Sequence, residues 1–216
     1  MRDAYRGELR RLSAELRVLC ELSARAMERA TQALLGRDLT KAEHVISDDV
    51  EIDWAYAGFE EAACAVLALQ APVASELRAV VSMMQVGEKI MRMGDLARHV
   101  AEAARRRHPR SAVPAPLVDQ FAEMSQLGIM IGSRVSDAVA LRSTADIAEL
   151  ERLDDRVDAL EVEVLSWVNT EQADVQAGVD VALLARYFER YADQGVAAAR
   201  RLQFAITGDH ARVTAR

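Results

Sequence analysis

Apolar and small side chains recur along this chain at alternating spacings of three and four. An α-helix stacks such positions on one face, so the pattern confines the chain to helices packed through long seams. The first seam is Leu9, Leu12, Leu16, Leu19, Ser23, Ala26, Ala30 and Ala33. It ends at Gly36, read as the C-cap because glycine enters left-handed backbone conformations freely. Thr40 with Glu43 predicts a capping box for the next helix. That helix runs through Val45, Asp49, Ile52, Tyr56, Phe59, Ala63 and Val66 and stops before Pro72, since the residue before a proline is pushed out of the helical region. A third helix is expected from about Val73 to Arg107.

The segment 108–116 holds three of the four prolines and reads as a linker. Beyond it the seams restart. The fourth carries Leu117, Phe121, Met124, Gly128, Ile131, Val135 and Ala138; the fifth Leu150, Asp154, Val157, Glu161, Val164 and Val168; the sixth Ala182, Ala185, Glu189, Ala192, Val196 and Ala199. Asp49-x-x-Ile52-Asp53 corresponds to Asp154-x-x-Val157-Asp158, and Met91-x-x-x-Asp95 to Glu189-x-x-x-Asp193. A duplicated three-helix unit explains this better than six unrelated helices. The expected fold is all-α: two pseudo-repeated three-helix bundles, residues 1–107 and 117–208, with a tail at 209–216. Helices of about thirty residues would each span roughly 45 Å. Only 5% of the residues are aromatic, which disfavours a sheet.

Function classes fall away in turn. A net charge of −7 gives no general attraction for nucleic acid, which rewards a basic footprint. The local run Arg105-Arg106-Arg107 reads as a solvated helix end whose cations complement the helix dipole. Met1-Arg2-Asp3 places charges where a secretory signal needs an apolar stretch. The apolar run from Ala62 to Ser75 is too short to span a bilayer, so a cytoplasmic protein without membrane insertion is expected. Cys20 and Cys64 lie inside helical patterns and read as buried free thiols. No phosphate loop, nucleophile elbow or Glu-x-x-His pair is present, so no catalytic residue is assigned. His44 and His99 leave a histidine phosphotransfer bundle as an alternative.

The anomaly is carboxylate inside the seams. Asp49, Asp154, Glu161 and Glu189 occupy stripe positions, and Asp53, Asp158, Asp95 and Asp193 lie beside them. Residues four apart on a helix lie one above the other, so Glu189 and Asp193 share a face. Like charges held close together call for a cation, a proton or solvent. An all-carboxylate donor set suits hard cations, and the small residues Gly87, Gly94, Ala185 and Ala192 leave room for one. The first half has Tyr56 where the second has Glu161, and Met91 where the second has Glu189. Metal is therefore expected mainly in the second half.

Leu69-Gln70-Ala71-Pro72-Val73-Ala74-Ser75-Glu76-Leu77-Arg78 resembles the Q-x-P-x-A-x-[DE]-L-R stretch of PhoU proteins. The E(D)xxxD motif of that family is similar to Glu189–Asp193 and, with methionine in the first acid's place, to Met91–Asp95. The likeness runs over nearly the whole chain. It implies two similar three-helix bundles and a negative regulator of the phosphate response. Such a regulator would couple the phosphate ABC transporter, through its ATPase PstB, to the sensor kinase PhoR. It also implies iron or zinc held by the motif acids, here Glu189, Asp193 and Asp95, and by Asp49, Asp53, Asp154 and Asp158; manganese or magnesium suits the same oxygens. A homodimer is compatible with apolar bundle faces. Arg92, Arg98 and Arg105, a basic flank on an acidic protein, are the expected partner contacts.

Overall fold

The computed structural model describes residues 2–141, 143–170 and 175–208; the expected tail at 209–216 lies outside them. Six long helices form as the seams require: α1 Arg2–Gly36, α2 Leu39–Gln70, α3 Ser75–Arg107, α4 Val118–Leu141, α5 Ile147–Thr170 and α6 Val175–Thr207. A 3-10 turn at Ala115–Leu117 leads into α4, and no strand occurs among the described residues. Among them, too, no helix is long and apolar enough to cross a membrane.

The helix ends differ from expectation in three places. At the end of α1 it is Arg37, with φ 55, that turns left-handed, and Gly36 stays helical. The cap of α2 is Asp38, not Thr40: its carboxylate accepts from the Lys41 N–H at 2.9 Å, and helix begins at Leu39. Helix α3 begins at Ser75, two residues later than expected. Before it, Ala71 caps α2 at φ 42. Ala74 sits at φ 51, ψ −117, in a turn closed by the Glu76 N–H on the Val73 carbonyl at 3.1 Å. Those angles match the first central residue of a type II′ turn, a position that favours glycine.

Helices α1, α3, α4 and α6 form the middle of the molecule, with α2 packed on α1 and α3, and α5 on α4 and α6. The two trios therefore share one continuous core, running from Leu12 and Leu16 in α1 through Phe121 in α4 to Phe188 and Tyr191 in α6. The Thr31 and Ser125 hydroxyls, 2.8 Å apart and buried, tie α1 to α4. Gly195 lets α6 approach α4 closely, because a Cβ there would overlap the Ile131 methyl.

Helices α3 and α6 run antiparallel and are held at both ends by an arginine of α3. Near its start, Arg78 donates through Nε to the Ala205 carbonyl at 3.4 Å and lies 5.8 Å from the centre of the Phe204 ring. At its last residue, Arg107 ion-pairs with Asp180 of α6, whose side chain is 5% exposed. Arg107 is thus no solvated helix end. The reason is tertiary: the antiparallel partner delivers a buried carboxylate to it.

Candidate functional site in the acid seams

In the first repeat the seam acids meet an arginine. Arg98 reaches Asp49 through Nε at 2.7 Å, Asp95 through Nη2 at 3.3 Å and Glu102 through Nη1 at 2.7 Å. Burial pushes the Asp49 carboxyl up, against the pull of Arg98, and the negative charges of Asp95 and Asp53 add to the rise. Burial alone would weaken the Arg98 cation, but Asp49, Asp95 and Glu102 hold it charged and raise its pKa. Asp53 faces solvent.

The space expected beside the first-repeat glycines is filled. A Cβ on Gly87 would meet the Phe59 ring at 2.6 Å, and one on Gly94 would meet Ile52 at 2.8 Å. These glycines admit apolar side chains from α2, not an ion with its water. Met91 packs partly buried against the core, consistent with a thioether in place of a carboxylate.

The second repeat keeps its acids. Asp154 and Glu189 are each 7% exposed. Asp158, Glu161 and Asp193 are half-buried along the same α5–α6 seam. The cations near Glu189 and Asp193 come from the rim. Arg186, half exposed, pairs with Glu189 at 2.8 Å and lies 3.9 Å from Glu161. Arg190 lies 3.9 Å from Asp193. Burial, then the charge on Asp193, lifts Glu189 to about 7; Arg186 opposes, and Glu161 and Asp158 add to the rise. Burial likewise raises Glu161. The counterpart of Arg98, three residues past the second motif acid, is Val196.

Among the described residues no three His, Cys, Asp or Glu side chains stand together as a ready metal cage. In the first repeat the donors do not fit one: Arg98 already occupies them, and apolar side chains fill the space. In the second repeat the donor chemistry, carboxylate oxygen throughout, suits a hard cation, while Glu189 is turned to Arg186.

The basic flank divides. Arg92 and Arg105 face solvent, paired with Glu88 at 3.1 Å and Glu43 at 3.5 Å. Arg98 does not belong to an exposed contact surface, because its guanidinium is spent on three acids of its own repeat. Cys20 is buried, its thiol pushed up to about 12 by burial. Cys64 is exposed, contrary to expectation, because its position on α2 turns away from α1 and α3. His99 is half-buried with its ring 5.2 Å from that of Tyr187, unlike the free imidazole phosphotransfer requires.

Sequence reasoning missed Asp180 and Arg78. The one signal for Arg78 is its place in the QAPVASELR stretch; Asp180 lies off every stripe.

The chain matches the PhoU domain family over residues 16–104 and again over 121–202, one match in each repeat. It is 45% identical over 210 residues to the "Phosphate-specific transport system accessory protein PhoU homolog 2" of Mycobacterium tuberculosis, covering 96% of this chain and 99% of that protein. It is 44% identical to the homolog 1 protein of Mycobacterium leprae, covering 96% and 95%. The crystal structure of the phosphate transport system regulatory protein PhoU from Streptococcus pneumoniae superposes with a TM-score of 0.86 at 23% identity, over 96% of this chain and 99% of that one. That of PhoU from Pseudomonas aeruginosa gives 0.83 at 20%, over 95% and 100%.

Proposed function

Because the chain belongs to the PhoU family, we propose that it is a non-enzymatic negative regulator of phosphate uptake and of the phosphate-starvation response. It acts in the cytoplasm as an adaptor between the ATPase PstB of the phosphate ABC transporter and the sensor kinase PhoR. The observation that carries this reading is the near full-length similarity to mycobacterial phosphate-transport accessory proteins, together with a match to the PhoU domain in each repeat. The exposed arginines Arg92 and Arg105 offer a basic contact for an acidic partner surface. The test is a strain lacking this gene, grown in high phosphate with a phosphate-response promoter as readout. Derepression reversed by the wild-type copy supports the role, and unchanged expression rejects it. Binding to PstB and PhoR that survives charge reversal at both Arg92 and Arg105 removes those arginines from the contact.

A second reading concerns metal. The acids of the second repeat, Glu189, Asp193, Asp154, Asp158 and Glu161, would hold an iron, zinc, manganese or magnesium ion. The favouring observation is a buried Glu189 whose cation, Arg186, is half exposed and free to leave. Such an ion would neutralise the seam and fix α5 to α6. Metal analysis of the purified protein checks this, since a stoichiometry that Glu189→Ala leaves unchanged counts against it.

A further inference from the structure

The two repeats meet one electrostatic problem, carboxylates drawn into a helix seam, with unlike means. We infer that Arg98 is the resident cation of the first repeat, so that the acids of this half, Asp49 and Asp95, take no metal ion. Three independent observations converge on it. The first is geometric: one guanidinium reaches Asp49, Asp95 and Glu102 at 2.7, 3.3 and 2.7 Å. Its planar fork of donors suits several carboxylates at once, and Asp49 is largely buried at 15% side-chain exposure.

The second is steric, because Phe59 and Ile52 occupy the space over Gly87 and Gly94. An ion could enter there only by displacing core side chains. The third is the contrast between repeats. The first has Met91 and Tyr56 where the second has Glu189 and Glu161, and Arg98 where the second has Val196. Two potential ligands and the need for an external cation disappear together. A divalent ion approaching Asp49 would also be repelled by the guanidinium already bound there. The counter-ion of the first repeat is thus covalently attached and cannot exchange, and any response to metal belongs to the second.

The test isolates the first repeat. A parent carrying Glu189→Gln and Asp193→Asn, which weakens the second seam, is compared with further variants at position 98. Melting temperature and bound Mn²⁺ or Zn²⁺ are measured with and without added metal. The parent is expected to melt at the same temperature with and without Mn²⁺. Arg98→Ala is expected to melt several degrees lower and to recover with Mn²⁺, a recovery that added Asp49→Asn abolishes. Arg98→Lys, which keeps the charge but loses the fork, should melt in between. A metal ion bound by the parent and lost on Asp49→Asn overturns the inference, as does an Arg98→Ala variant that melts no lower than the parent. Should Arg98→Ala not fold, the parent's metal content with and without Asp49→Asn decides the same point.

Discussion

Removing one partner of the Arg107–Asp180 pair should uncover how firmly the repeats are joined. Asp180 is 5% exposed and Arg107 18%, at the junction of the end of α3 with the start of α6. Deleting one member of a buried pair typically costs about 3–5 kcal/mol, because the survivor is left as an uncompensated buried charge. The two survivors differ here. Arg107→Met strands a carboxylate for which Gln176, at 3.4 Å, is the further neutral donor among the described residues. Asp180→Leu strands a guanidinium on a long stem that can swing its head to water. The expected costs are therefore on the order of 3 kcal/mol for Arg107→Met and about 1–2 kcal/mol for Asp180→Leu. In a protein of this size each kcal/mol moves the midpoint by roughly 2–4 °C. The first variant should melt about 6–12 °C lower and the second about 2–8 °C lower. The double variant Arg107→Met/Asp180→Leu replaces the pair by apolar volume and should regain most of the loss. Calorimetry on the four proteins closes the cycle. Two single variants within about 1 °C of wild type, or a double variant that loses the sum of both, would refute the assignment of a buried, coupled pair.

Three further outcomes follow from the geometry. Ala74→Gly should raise stability by about 0.5–1 kcal/mol in denaturant unfolding, because glycine adopts the φ 51 conformation without a Cβ penalty; a loss would show that the turn is not strained. Gly195→Ala gains roughly 1 kcal/mol of helix propensity but drives a methyl into Ile131, an overpacking worth about 1–3 kcal/mol, so a net loss is expected in the same assay. Glu189 has a folded pKa of about 7, above its ordinary 4.5. Its contribution is fully present below about pH 4.5 and lost as pH rises through about 7. In chelated buffer Glu189→Gln should match wild type near pH 5 and exceed it at pH 8 by on the order of 2 kcal/mol, and equal pH profiles for the two proteins would remove Glu189 from the account.

The helices and the repeat could be read from the chain because both depend on local order. Seam spacing fixes helix and face, and Pro72 and the prolines of 108–116 interrupt it. Helix ends were less legible: a single hydrogen bond at Asp38 decides against Thr40, and a strained turn at Ala74 delays α3. The seam acids were visible as anomalies, but what neutralises them was not. That Arg98 turns inward and Arg92 outward depends on how α3 is rotated against α2. That Arg107 is half-buried depends on α6, more than seventy residues further along the chain. Gly87 and Gly94 showed as small positions, and sequence could not say that Phe59 and Ile52 would fill them.

Among the described residues helices α2 and α5 pack chiefly within their own trios, while the other four helices hold the trios together. A duplicated protein built this way can let one flank drift without endangering the other. Substitutions on α2 and on the side of α3 it covers, such as Tyr56 and Met91, change the chemistry of one seam and leave its twin as it was. Divergence between the copies then costs the common centre nothing, which allows one copy to become scaffold while its sibling stays available to respond.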